Sequence, residues 1–174
     1  MPDSLLDPVT HQRLIEALPQ IVHQSHVPEM FIRTSALGNC DEKDIEFLTN
    51  YHRFKEMGVA GYCKVGGTGS SRKLNFMAGA LIRNYIDVRV YSLEACIELG
   101  NKVNPTVMIV PDFCLDTNDG RPMTGWKVQQ VYDFLVTRMS QSKPTIVYAQ
   151  DVKLIESTFG KSLADFIQTN YIRG

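Results

Sequence analysis

Val59-Ala60-Gly61-Tyr62-Cys63-Lys64-Val65-Gly66-Gly67-Thr68-Gly69-Ser70-Ser71-Arg72-Lys73-Leu74 runs from a short apolar segment through a glycine-rich turn into a segment of helical spacing. Such a turn between a strand and a helix is where α/β proteins hold phosphate, because backbone N–H groups and the helix N-terminus together form an anion site. The ATPase form, G-x-x-x-x-G-K-[ST], adds a lysine that reaches the outer phosphates and a hydroxyl that holds magnesium. With Gly67-Thr68-Gly69 as the G-x-G core, Lys64 stands at the first glycine position, Ser70 at the lysine position and Ser71 at the hydroxyl position. Gly66 completes the turn, and Arg72 and Lys73 follow it. The loop keeps its shape while its charge is altered. Two other readings stay open: a tight turn without a ligand, and a dinucleotide loop. The second would need glycine at position 72, which is Arg72.

Outward from the turn, strand and helix patterns alternate. Val59–Cys63 reads as a strand, and Leu74–Tyr85 as a helix with Leu74, Met77, Ala78, Leu81 and Ile82 on one face. Asp87–Tyr91 alternates as a strand, and Ser92 is placed to cap a brief helix. Thr106–Val110 is a continuous apolar run, suited to a strand buried on both faces. The polar stretch Asp112–Gly125 reads as a loop, Trp126–Met139 as a helix, and Thr145–Tyr148 as a strand entered through Pro144. Trp126 is expected to pack its helix against the sheet. The tail divides at Gly160 into two helical pieces. Upstream, residues 1–25 read as a leader with one amphipathic helix that Pro19 should kink or stop. A second helix is expected over Asp44–Met57, with Asp41 or Asp44 as its cap. The alternation predicts a three-layer α/β/α domain with a mostly parallel sheet of about five strands. Its expected span is 26–174, without a separate C-terminal lid.

Composition narrows the function classes. The chain has 174 residues, 18 basic and 19 acidic, for a net charge of −1. A dedicated nucleic-acid binder usually shows a basic excess, because phosphate neutralisation supplies much of its affinity. No segment approaches the ~20 apolar residues of a membrane helix, and Met1-Pro2-Asp3-Ser4 does not open a secretory signal. A cytoplasmic setting is expected. Cys40, Cys63, Cys96 and Cys114 form no C-x-x-C pair and are read as reduced and structural. The four histidines lack metal-ligand spacing, and no metal site is expected. Asp112, Asp116 and Asp119 lie where a metal could be held at a strand mouth, against the alternative of a solvated acidic loop beside Gly120 and Pro122.

Taken in order, these segments resemble the ATPase domain of bacterial replicative-helicase loaders of the DnaC/DnaI type and of the transposition ATPase IstB. The resemblance covers about residues 26–170. It begins with His26-Val27-Pro28-Glu29-Met30-Phe31, similar to an I-P-x-x-F motif, and continues through Gly58–Tyr62 into the glycine loop. Val88–Ala95 follows, then Val107-Met108-Ile109-Val110 in the place of the Walker B strand. Pro144–Tyr148 stands in the place of the sensor-1 strand, and Phe159-Gly160-Lys161-Ser162-Leu163-Ala164-Asp165 resembles an L-G-E-R-x-x-D segment. The resemblance implies a P-loop (AAA+, RecA-like) fold.

It also marks where the chain departs. The Walker A lysine position is Ser70, and the Walker B acidic pair reads Pro111-Asp112. The arginine-finger position is Ser162, or is displaced to Lys161, and the sensor-1 polar residue is retained as Gln150. The missing groups neutralise phosphate, hold the metal and stabilise the transition state, and the arginine finger alone is worth ~10³ to 10⁵ in rate. The expectation is therefore a pseudo-ATPase with no catalytic residues and no cofactor. It would act as an adaptor or regulator on a protein partner such as a replicative helicase or loader, in DNA replication or mobile-element biology. Such ATPases share sites between neighbours, so an oligomer is allowed for. Two alternatives remain. One is an ATPase that binds ATP or ADP through a displaced cation, Lys64, Arg72 or Lys73; the other is a single-stranded-DNA accessory protein.

Overall fold

The apolar runs become the strands of one parallel sheet. In the computed structural model, which describes residues 4–116 and 122–174, these are β1 (Gly61–Val65), β2 (Val88–Val90), β3 (Val107–Cys114), β4 (Thr145–Ala149) and β5 (Tyr171–Arg173). Their order is β2-β3-β4-β1-β5, and every pairing is parallel. The central strands are buried on both faces, as a parallel sheet between helix layers requires.

Alternate side chains of each strand feed two separate cores. Tyr62, Ile109 and Ile146 point into the first, which is covered by α1 (Gln12–Ser25), α2 (Glu29–Arg33), α3 (Glu42–Thr49), α4 (Tyr51–Glu56) and α5 (Ser70–Arg83). Cys63, Val110 and Val147 point into the second, under α6 (Leu93–Leu99), α7 (Gly125–Ser140), α8 (Val152–Phe159) and α9 (Lys161–Asn170). The result is a three-layer α/β/α domain around a parallel five-stranded sheet. Leu14 and Leu18 of α1 enter the same core as Phe31 and Tyr62, so the helix expected in the leader packs onto the domain.

Several boundaries differ from the sequence-based expectations, each for a local reason. Helix α1 passes through Pro19 without stopping, and Pro19 lies on its exposed side. The helix expected over Asp44–Met57 starts earlier and divides at Asn50, whose side chain donates to the Glu46 carbonyl. Strand β3 continues past Val110 through Pro111 and Asp112 to Cys114, with an irregularity after Val110, where a loop was expected. Strand β5 was not anticipated. Its three residues are too few to show a period, and it exists because β1 offers it an edge. Trp126 does not pack against the sheet; it is 74% exposed at the start of α7. The cap at Ser92 is as expected, with its Oγ accepting from the Ala95 N–H at 3.1 Å.

Two tight contacts hold the layers in register. Gly79 of α5 lies so close to α2 that a Cβ there would stand 1.9 Å from the Phe31 carbonyl oxygen. Arg83, one turn further, donates to the carbonyls of Phe31, Ile32 and Thr34 and so closes the end of α2. On the opposite face, Arg138 of α7 is 3% exposed and donates to Thr145 Oγ1 and to the carbonyls of Pro105, Thr106 and Pro144. Burial pushes its guanidinium down to about 10, so it remains charged at neutral pH.

Arg138→Met should deprive the Pro105 and Thr106 carbonyls of their donor, while Pro144 keeps the Met108 N–H, and cost about 3 kcal/mol in urea unfolding. A loss under about 1 kcal/mol would mean that the strand entrances are held by packing alone.

Candidate phosphate-loop site

The glycine loop sits where the topology changes direction. Strand β1 sends its helix, α5, to one face of the sheet, while its neighbour β4 sends α8 to the other. Ligands of open α/β sheets collect in the crevice that such a divergence leaves at the carboxyl ends of the strands. The loop is built for tight turning: Gly66, Gly67 and Gly69 have φ of 64°, 80° and 63°, a region that side-chain-bearing residues rarely occupy. The Gly66 N–H donates to the Ala149 carbonyl at 3.0 Å, which ties the loop to the end of β4. Thr68 and Ser71 are exposed and Ser70, half-buried, opens α5.

The three cations that flank the loop are all engaged elsewhere. Lys64 lies on the face of β1 that carries Tyr62, turned under α3. It is 3% exposed, and its Nζ donates to both oxygens of Asp44 at 3.0 and 2.8 Å and to Asp41 at 2.8 Å. Tyr62 adds its hydroxyl to the same Asp44 carboxylate at 2.6 Å. Burial by itself lowers the Lys64 ammonium, but the hydrogen bonds to Asp41 and Asp44 outweigh it and the net shift is upward. Lys73 bridges to Asp41 at 2.9 and 3.1 Å. Hydrogen bonds from Lys64 and then Lys73 hold the Asp41 carboxyl below its usual range. The stabilisation this implies is present at neutral pH and fades as pH falls through that lowered value, and the half-exposed position of Asp41 screens much of it. Arg72 is spread over aromatic rings, its guanidinium carbon 5.5 Å from the Phe31 centroid and 5.2 Å from that of Phe76.

The other positions singled out in the sequence are only partly brought together. Gln150 follows β4 directly beside the loop. Its backbone N–H donates to the Cys114 carbonyl at 2.8 Å and its side-chain oxygen accepts from the Asp116 N–H at 2.9 Å, so it staples the ends of β3 and β4. Pro111 lies within β3 and offers no ligand. Asp112, still within β3, turns toward α6, where Oδ1 accepts from the Leu93 N–H at 2.8 Å. Ser162 and Lys161 are exposed in the first turn of α9, which packs on α8 and β5. Among the described residues no three His, Cys, Asp or Glu side chains gather as a metal site; Asp119 and Gly120 lie outside them. All four cysteines are free, and Cys63, Cys96 and Cys114 are buried.

No family model matches the sequence, and no curated protein matches it. Solved structures do. The structure of the DnaC helicase loader superposes with a TM-score of 0.52 at 13% identity, over 76% of this chain and 89% of that one. The structure of DnaI gives 0.57 at 17% identity, over 86% and 92%. The chain shares its fold with the DnaC helicase loader and DnaI. A primosome component from Streptococcus pyogenes serotype M3 shares this loader fold with a TM-score of 0.53 at 16% identity, over 86% and 89%. The replication initiator DnaA, bound to AMPPCP and single-stranded DNA, gives 0.51 at 12% identity, over 76% of this chain and 44% of that one.

The residues missed by sequence reasoning are Asp41 and Asp44 as partners of Lys64. The signal was present: a lysine in an apolar strand run demands a buried counter-charge. Asp44→Asn should cost about 3–5 kcal/mol in urea unfolding, because Lys64 loses its buried partner, and Lys64→Met combined with Asp44→Leu should recover most of it. Equal losses in the single and double variants would refute the pairing as the source of the effect.

Proposed function

We propose that this loader-like domain is a non-hydrolysing adaptor or regulator, a pseudo-ATPase that acts on protein partners in DNA replication or mobile-element biology. The observation that carries this is the fate of the loop's cations. Ser70 stands where the phosphate-reaching lysine belongs, and Lys64, Lys73 and Arg72 are each committed to a carboxylate or to aromatic rings. The acid nearest the Walker B position, Asp112, serves as a backbone acceptor for α6. Phosphoryl transfer is almost entirely positioning and charge stabilisation, and a site without its cation, metal ligand and finger has neither. The partner we infer is a replicative helicase or a loader, since the fold is shared with the DnaC helicase loader.

The competing proposal, an ATPase with a displaced cation, draws its support from the preserved left-handed turns of Gly66, Gly67 and Gly69. It requires Lys73 to leave Asp41 or Arg72 to leave its rings. Thermal unfolding separates the two. A ligand at 100 times its Kd adds about 2.7 kcal/mol to the folded state.

With millimolar magnesium-ATP the wild-type chain should show no rise in Tm and no phosphate release, while Ser70→Lys should gain a rise in Tm. A clear rise with turnover in the wild type would overturn the proposal. In a pull-down, tagged chain should retain a replicative helicase or loader, and retention of neither would remove the adaptor role.

A further inference from the structure

An elongated surface hollow lies away from the glycine loop, between α6 and α7. Two adjoining hollows of about 260 and 320 Å³ share Ile97 and Gln130 and together run along α7 from Trp126 to Gln141. Their floor is apolar, with Ile97, Val103 and Phe134 half-buried. Their rim is acidic: Glu94 and Glu98 project from α6 and Asp133 from α7, all exposed. Lys127, half-buried, is the cation beside Trp126, and Arg138 at the far end already gives its N–H groups to backbone and side-chain oxygens. At the mouth stands Trp126, 74% exposed.

Exposed tryptophan is costly to leave in water, and it is among the residues that dominate binding interfaces. Its ring face also attracts ammonium and guanidinium groups. A hollow with an apolar floor, three carboxylates on its rim and a tryptophan face therefore selects one kind of occupant. α7 has 16 residues, so the groove is about 24 Å long at 1.5 Å per residue, the length of four helical turns.

We propose that the α6–α7 groove is a docking site for a basic amphipathic helix of a protein partner. Its apolar stripe would lie on Ile97, Val103 and Phe134. Its lysine or arginine side chains would meet Glu94, Glu98 and Asp133, with one cation over Trp126. This is the helix-in-groove mode, with specificity set by charge complementarity across the rim. The site deepens the adaptor reading on which it rests, and its test uses neither nucleotide nor a helicase, so the two can fail separately.

The chain contains a single tryptophan, so Trp126 reports on its own burial. Wild-type chain is titrated with a synthetic 16-residue leucine/lysine helical peptide, and with a leucine/glutamate peptide of the same apolar pattern. The expected result is a blue shift of Trp126 emission with the basic peptide alone. By anisotropy of the labelled basic peptide, Glu94→Lys/Glu98→Lys should weaken binding by about tenfold, and added salt should weaken wild-type binding. The folded state of the variant is checked by its thermal melt, and Trp126→Ala read by anisotropy gives an independent variant that should also bind more weakly. No blue shift, or an equal shift with both peptides, would overturn the proposal. So would a shift that grows with protein concentration without peptide, which would assign the groove to a second copy of this chain.

Discussion

A lysine placed on a strand buried from both sides must bring its counter-charge with it. Lys64 is that lysine, and Asp44 and Asp41 are the counter-charge. An isolated ammonium in this position would cost several kcal/mol, so the start of α3 has to sit over β1 at a fixed height. Asp44 is also the residue whose side chain accepts the Asp41 backbone N–H at 3.1 Å, so the same carboxylate starts the helix and neutralises the strand. Tyr62, stacked on Phe47 with centroids 4.9 Å apart, completes the contact from the apolar side. Helix capping, ion pairing and aromatic packing thus converge on one junction between α3 and β1.

That junction also shapes the glycine loop. Asp41 faces both Lys64 and Lys73, so the positive charge that a phosphate would use is drawn toward α3. The loop itself keeps the backbone of an anion cradle, because three positive φ values and a tie to β4 depend on glycine and on sheet order and not on the lysine. Shape and charge are separable in such a loop. Here the first persists without the second.

The opposite face tells a complementary story. Asp112 and Gln150 sit toward the carboxyl ends of β3 and β4, where ligands of open α/β sheets collect, yet their hydrogen bonds run to Leu93, Cys114 and Asp116. These bonds fix the ends of the strands and the start of α6, and α6 in turn forms one wall of the groove below Trp126. Polar groups at the top of the sheet are spent on scaffold, while the face with unspent apolar surface and charge lies between α6 and α7.

Much of this protein could be read without its structure. The four apolar runs, the glycine turn and the Ser92 cap are set by short-range patterns of burial and hydrogen bonding, and these are visible over a few residues. Serine at position 70 and proline at 111 are facts of the sequence. Only the tertiary structure decided the rest. It alone paired Lys64 with residues 20 and 23 positions away, extended β3 through Pro111 and added β5 to an edge that β1 supplied. It also turned Trp126 outward beside a groove whose two walls are remote in the chain. The physical reason is common to all of these. A local pattern states which groups need burial or a partner, but which partner they meet depends on contacts between segments that only the folded chain brings together.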